Sequence, residues 1–262
     1  MKSSLITLLT DFGLQDEYVG VMKGVILGIN PQARIVDLCH NVPPGDVRRA
    51  GWLLRWSWRY FPKGTIHVVV VDPGVGSQRK ILCLALGGHL FLAPDNGALS
   101  YVWSGVSSPR IFEVSNRCYA LKPVSRTFQG RDLFAPAAAH LSRGLAPGRL
   151  GGRVGRPVRL AVPEAEWDGS RRLRGQVIHL DHFGNAITNL SAPQIQRLAG
   201  KGALKISVKE RSLGGLKPSY SAVPKGTALA VIGSKKLLEI AVNRGSAAKR
   251  LSLKVGDRVE VS

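Results

Sequence analysis

Six of the seven residues from Thr65 to Val71 are β-branched, the exception being His67. A run with no polar alternation cannot turn one side to water. It predicts a strand buried on both faces, of the kind found inside a parallel sheet. The run stops at Asp72-Pro73-Gly74-Val75-Gly76, where proline and two glycines predict a tight turn. Leu5 to Thr10 is a second apolar run and ends at Asp11-Phe12-Gly13. Val19, Met22, Val25, Ile26 and Ile29 recur at helical spacing across Tyr18 to Ile29. Arg34 to Leu38 reads as a strand, and Val47 to Tyr60 as a helix carrying Trp52, Leu53 and Trp56 on one face. Those two tryptophans and Trp58 read as core or subunit contacts. Ile81 to Leu86 and His89 to Ala93 read as strands joined by Gly87-Gly88, and Leu133 to Leu141 as a helix after Arg131-Asp132. Strands alternating with helices over residues 1–145 predict an α/β domain with a largely parallel sheet. Ligands of such sheets sit beyond the carboxyl ends of the strands, and Asp11 and Asp72 stand at two such ends.

The pattern changes toward the C-terminus. Residues 146–171 hold many Gly, Pro and Arg without periodicity and read as a linker. From residue 172 to 262 short apolar runs alternate with turn residues: Gly175 to Leu180, Leu204 to Val208, Thr227 to Ile232, Leu237 to Val242 and Arg258 to Val261. That spacing predicts a small all-β barrel or sandwich. No apolar run nears the roughly 20 residues that cross a bilayer, and the first residues read as a strand and not a signal peptide. Cys39, Cys83 and Cys118 have no metal-like spacing and read as free, buried thiols of a reducing cytoplasm.

The net charge of +20 raises the question of a nucleic-acid partner. The cations are scattered, at Arg48-Arg49, Arg171-Arg172, Lys235-Lys236 and Lys249-Arg250, with no recognisable binding motif among them, so a solvated basic surface is the better reading. With only 17 acidic residues against 37 basic ones, a carboxylate placed in a turn attracts notice. Asp11 reads either as a helix cap or, with Asp16, as a carboxylate for the paired hydroxyls of a ribose. Arg79 can fold back on Asp72, as a structural ion pair or as a pair that orients a water. Asp181-His182-Phe183-Gly184-Asn185 reads as an Asx turn or as a base site, with Phe183 stacking and Asn185 pairing to an adenine edge. The same two readings apply to Ile232-Gly233-Ser234-Lys235.

Eight segments in order extend these observations: Leu9-Thr10-Asp11-Phe12-Gly13, Val36-Asp37-Leu38-Cys39-His40, Phe61-Pro62-Lys63-Gly64-Thr65, Val71 to Gly76, Ala93-Pro94-Asp95-Asn96-Gly97, Thr127 to Asp132, Asp181 to Asn185, and Leu238 to Asn243. Together they resemble the S-adenosylmethionine hydroxide adenosyltransferase family, hydrolytic relatives of the fluorinase and chlorinase. The resemblance implies cleavage of S-adenosylmethionine by water at ribose C5′, giving adenosine and methionine. It also implies a homotrimer with sites between subunits, and neither a metal nor a second cofactor. It carries Asp11 over as the ribose ligand. Asp16, Asp181 and Ser234 would hold the methionine portion, Phe183 and Asn185 the adenine. Backbone near Val242, with Glu239 and Tyr220, would close the pocket. Asp72 and Arg79 match two members of an Asp–Arg–His catalytic set, and Gln129 stands at the histidine position. Glutamine can bond a water but cannot take its proton. A protein that binds the ligand without cleaving it is therefore one alternative. Halide transfer is another, but the carboxylate of Asp72 opposes a halide. In addition, only 16 residues separate Arg79 from Asn96, which leaves no room for the loop inserted in the halogenating branch.

Overall fold

The computed structural model describes residues 5–106, 109–169, 171–200 and 203–262. Met1 to Ser4, part of the opening segment read above, lie outside the described residues. The chain divides into two compact units, meeting between Val162 and Pro163.

The first unit holds β1 (Leu5–Thr10), α1 (Tyr18–Ile29), β2 (Arg34–Cys39), α2 (Val47–Ser57), β3 (Ile66–Val70), β4 (Ile81–Leu86), β5 (His89–Pro94), α3 (Ser100–Trp103), β6 (Arg110–Glu113) and α4 (Ala135–Ser142). Its six-stranded sheet runs β2-β1-β3-β5-β4-β6. The β2, β1, β3 and β5 strands are parallel neighbours, and β4 is antiparallel to both β5 and β6. β3 sits inside the sheet, and all its residues are buried. Alternation explains why the run needs no polar residue. Ile66, Val68 and Val70 point into a core shared with α1 and α4, while Val69 and Val71 join a second core with α2 and α3. On α2, Leu54 and not Leu53 is the fully buried residue. Ala50, Leu54 and Trp58, one turn apart, face the sheet. Trp52 and Trp56 instead stack on each other at 5.3 Å between ring centres, with Trp52 also against Tyr101.

Residues 147–160 lie along the first unit. The Gly152 carbonyl accepts the Glu113 N–H, the Ile111 carbonyl accepts the Val154 N–H, and the Asp95 carboxylate accepts the Val158 N–H. The first two bonds cover the open edge of β6 and the third ties the segment to the turn after β5, which explains why a stretch without periodicity is still ordered. The cysteines are unpaired, but only Cys83 is buried; Cys39 is half-buried, and Cys118 is exposed in a turn capped by Asn116.

The second unit is an all-β, barrel-like arrangement with two short helices. Its elements are β7 (Glu166–Asp168), β8 (Arg172–Leu180), β9 (Ala186–Ser191), α5 (Ala192–Ala199), β10 (Ile206–Val208), β11 (Arg211–Gly214), β12 (Leu216–Lys217), β13 (Ala228–Ile232), β14 (Leu237–Val242), α6 (Ala247–Arg250) and β15 (Arg258–Val261). The main path runs β11-β10-β15-β8-β9-β14-β13-β12. The sequence pattern missed α5. It starts at a capping box between Ser191 and Gln194 and carries Pro193 in its first turn.

The histidine inside β3 has no water contact. His67 Nδ1 lies 2.8 Å from Thr7 Oγ1, and its Nε2 lies 3.3 Å from Nδ1 of His89. Burial, and secondarily His89, pushes His67 down to about 3 from its ordinary 6.5. Burial also lowers His89. His67 is neutral in the fold down to about pH 3, while the unfolded chain protonates it below about pH 6.5. The contribution of His67 is therefore fully present above that pH and is lost as pH falls toward about 3, at up to about 1.4 kcal/mol per pH unit, and His89 acts in the same direction. Calorimetry should show Tm falling between pH 7 and pH 5, with a shallower fall in His67→Gln. A variant and wild type with equal slopes would contradict this account.

Candidate active site

β1 and β3 pair in parallel with Thr10 opposite Val70, so the residues that follow, Asp11 and Val71-Asp72, leave the sheet at the same edge. Asp72 meets Arg79 across a short loop. Arg79 Nε donates to both Asp72 oxygens, at 3.0 and 2.8 Å, and its Nη2 donates to Oδ2 as well. The same Nη2 donates to Gln129 Oε1. The carboxylate side chain is 5% exposed and the guanidinium 11%, so the pair is nearly dry. Inside the loop, Val75 N–H donates to the Asp72 carbonyl and Arg79 N–H to Ser77 Oγ.

The two ends of this loop are fastened to one neighbouring turn. Asn96 Nδ2 donates to the Val71 carbonyl at 2.9 Å, and the Asp95 N–H donates to the Lys80 carbonyl at 2.8 Å. Asn96 is a positioning residue that inspection of the sequence did not single out. Its signal lay in the Pro94-Asp95-Asn96-Gly97 turn, but the bond to Val71 spans 25 residues and has no local signature.

Gln129 is set from a different direction. It precedes a π-helical turn, Gly130–Phe134, whose Gly130 packs on Met22 of α1 and on Phe12. Asp132, buried in that turn, accepts the Ser125 N–H and two Arg131 donors and so ties down the segment leading to Gln129. Asp11 is held by Gly45, whose N–H donates to Oδ2 at 2.8 Å, and Gly45 lies against Pro73. Asp11, Asp72, Arg79 and Gln129 thus share one edge of the sheet. Asp16 does not join them: it is exposed in the bend before α1, with no bond to the group.

The remaining seven residues singled out from sequence surround one cavity of about 750 Å³ in the second unit. Asp181, Phe183 and Asn185 line it from the turn after β8, Tyr220 from a 3₁₀ turn, Ser234 from the β13–β14 turn, and Glu239 and Val242 from β14. Lys235, Asn243, Arg244 and Gly245 also line it and were not foreseen. Lys235 stood in a turn already noted. The other three follow Val242 in a turn that places Arg244 at φ +54.

The turn from Asp181 to Asn185 is closed by the aspartate side chain across four residues, not the two of an Asx turn, and this bonding is compatible with the base-site reading. Asp181 Oδ1 accepts the Asn185 N–H and Oδ2 accepts from Asn185 Nδ2 at 2.9 Å. That bond commits one amide hydrogen and leaves the other, with Oδ1, for a ligand. The turn presents Phe183 with 74% of its surface exposed on the cavity rim. Across the cavity the Tyr220 hydroxyl donates to Glu239 Oε2 at 2.8 Å. Burial first, then the Glu239 carboxylate, pushes the Tyr220 phenol up to about 12, so it remains a donor at any physiological pH. Gly233 makes room for this carboxylate, because a Cβ there would overlap it.

The chain matches the family models described as SAM hydroxide adenosyltransferase N-terminal domain, over residues 6–151, and SAM hydroxide adenosyltransferase C-terminal domain, over residues 175–260. It belongs to the SAM hydroxide adenosyltransferase family. An (R)-S-adenosyl-L-methionine hydrolase of Thermus thermophilus is 37% identical over 265 residues, covering 96% of each chain. A fluorinase of Nocardia brasiliensis is 27% identical over 294 residues, covering 99% of this chain and 97% of the fluorinase. Among solved structures, an uncharacterized conserved protein from Thermotoga maritima matches with a TM-score of 0.91 at 38% identity, covering 98% of this chain and 99% of that one.

The contact between Gly233 and Glu239 is testable by a mutant cycle. Gly233→Ala is expected to cost about 1–3 kcal/mol by overpacking, or a few degrees in Tm. In a Glu239→Ala background the same change should cost nearly nothing. Equal penalties in both backgrounds would show that the methyl meets something else.

Proposed function

We propose that this protein hydrolyses S-adenosylmethionine at ribose C5′, releasing adenosine and methionine, and that it shares the (R)-sulfonium preference carried in the name of its Thermus relative. The observation that carries the reading is the dry, doubly bonded Asp72–Arg79 pair beside Asp11, in a family whose near-full-length relatives include a hydrolase of that substrate.

The chemistry needs little from the protein. The sulfonium is a cationic leaving group, so departure requires neither an acid nor a metal. What remains is to place one water in line with the C5′–S bond and strip its shell. Asp72 orients that water. As the O–C5′ bond forms, the C5′–S electron pair returns to sulfur, and the water proton passes through Asp72 to solvent. Arg79 holds Asp72 in one orientation, and Gln129 holds Arg79. Asp11, with Oδ2 occupied by Gly45, offers Oδ1 to the ribose hydroxyls. In the second unit, Phe183 and Asn185 take the adenine. Asp181 and Ser234 take the zwitterionic methionine, and Tyr220, Glu239 and the Val242 backbone complete the cavity. Asp16, exposed in this structure, is assigned to the methionine end by resemblance alone. A homotrimer with sites at subunit boundaries, and a cytoplasmic location, belong to the same reading.

Water and halide as nucleophiles are distinguished by charge. An anion approaching Asp72 meets like charge in a nearly dry site, whereas water accepts and donates there at no such cost.

Incubation with S-adenosylmethionine in ¹⁸O-water should give adenosine labelled at the 5′-oxygen and one methionine per adenosine. Ligand recovered intact would instead favour a binding protein. Asp72→Asn should lower kcat/KM by about 100-fold or more while adenosine binding stays within about threefold. Gln129→His should raise kcat by about tenfold and add a fall in rate below about pH 6.5, where the ring protonates and stops accepting from Arg79. An unchanged profile would limit position 129 to holding Arg79.

A further inference from the structure

Asp11 stands between Thr10 and Gly13, and one residue, His40, fastens both. Its backbone carbonyl accepts the Gly13 N–H at 2.8 Å. Its ring Nδ1 lies 2.8 Å from Thr10 Oγ1, with Thr10 0% and His40 4% exposed. The ring Nε2 lies 3.0 Å from Asp37 Oδ1, and Lys23 Nζ donates to Asp37 Oδ2 at 2.6 Å.

For a neutral ring, one proton order satisfies these contacts. Thr10 Oγ1 accepts the Phe12 N–H at 3.3 Å, so its hydroxyl proton goes to Nδ1. Nδ1 is then the acceptor and Nε2 carries the ring proton, facing the Asp37 carboxylate. The other tautomer would set a nitrogen lone pair against that carboxylate. A line of contacts therefore runs from Lys23 through Asp37, His40 and Thr10 to the backbone of the Asp11 turn, hydrogen-bonded except at His40 Nε2, which meets Asp37 as a close polar contact and not as an aligned hydrogen bond. Asp37, His40 and Thr10 have the residue types of a nucleophile triad. Thr10, however, has no surface to meet a substrate and its hydroxyl is fully bonded, so the group does no chemistry of its own.

We propose that His40 is a positioning residue for Asp11: it pins the turn before and after the carboxylate, and Gly45 fixes Oδ2, so that Oδ1 is aimed at the paired ribose hydroxyls before a ligand arrives. Pre-orientation of this kind removes an ordering cost from binding. The inference rests on the reading of Asp11 as the ribose ligand and adds what makes Asp11 selective.

Calorimetric titration with adenosine and with 2′,3′-dideoxyadenosine tests it. Wild type should prefer adenosine by about 100-fold, the scale of hydrogen bonds to a charged group. Thr10→Val, nearly isosteric, should reduce that preference to about fivefold or less, with dideoxyadenosine affinity unchanged within twofold; Thr10→Ser should keep it. Asp37→Ala alters a side chain that is 40% exposed and so tests the outer end of the chain without disturbing the core; an intermediate preference is expected. Equal loss of both nucleosides in Thr10→Val would mean general damage and overturn the proposal, as would an unchanged preference in both Thr10→Val and Asp37→Ala. Wild type indifferent to the hydroxyls would overturn the Asp11 reading itself and this inference with it.

Discussion

A carboxylate and a guanidinium that are both nearly dry are tolerable only if every bond between them is made, and the surroundings of Asp72 and Arg79 enforce that condition. Removing water from two charges costs several kcal/mol per ion, and geometry alone decides whether their attraction repays it. β3 brings Asp72 to the edge of the sheet because its other residues are buried in two cores. The Asp95-Asn96 turn then fixes both ends of the loop that returns Arg79 to it. The ion pair is thus less a source of stability than a demand on the fold, met by bonds that have no other evident purpose.

The parts of the molecule that were legible in the sequence are those fixed by local pattern. β14 and β15 fall where Leu237 to Val242 and Arg258 to Val261 placed them, and Gly87-Gly88 joins β4 and β5 with both glycines at positive φ. Residues 147–160 were opaque because their order comes from backbone bonds to β6 and not from periodicity. β11 returns on β10 through a two-residue turn, Lys209-Glu210, that carries no glycine although both residues have positive φ, β12 is two residues held only by β13, and α5 was hidden by a proline that reads as a breaker unless its cap is recognised. The candidate site divides the same way. Asp72, Arg79 and the turn from Asp181 to Asn185 are local motifs. The contact of Gln129 with Arg79, spanning 50 residues, could be anticipated only from resemblance. Asp16 was grouped with Asp11 by sequence proximity, which says nothing about which way the bend before α1 turns.

Charge is distributed against the composition. In a chain with 37 basic and 17 acidic residues, carboxylates are in short supply for ion pairing. Asp11, Asp181 and Glu239 are nonetheless bonded by neutral donors, a backbone N–H, an asparagine and a tyrosine. Neutral donors satisfy lone pairs without cancelling charge. In the cavity of the second unit the balancing cations are Lys235 and Arg244, which line it together with Asp181 and Glu239.

Gln129, standing where the resemblance expects histidine, would alter the proton chemistry of such a site without altering its geometry. What Arg79 requires from position 129 is an acceptor aimed at Nη2, and an amide oxygen supplies it in every protonation state. An imidazole supplies it only while neutral, and then with one ring nitrogen. Glutamine therefore holds the guanidinium, and through it Asp72, without coupling that geometry to pH. What it gives up is a second proton acceptor near the water. Displacement of a sulfonium generates one proton late in the reaction, and in the proposed mechanism Asp72, 5% exposed, carries it alone. In the proposed reaction, glutamine in place of histidine would thus remove a relay while preserving the arrangement on which in-line attack depends.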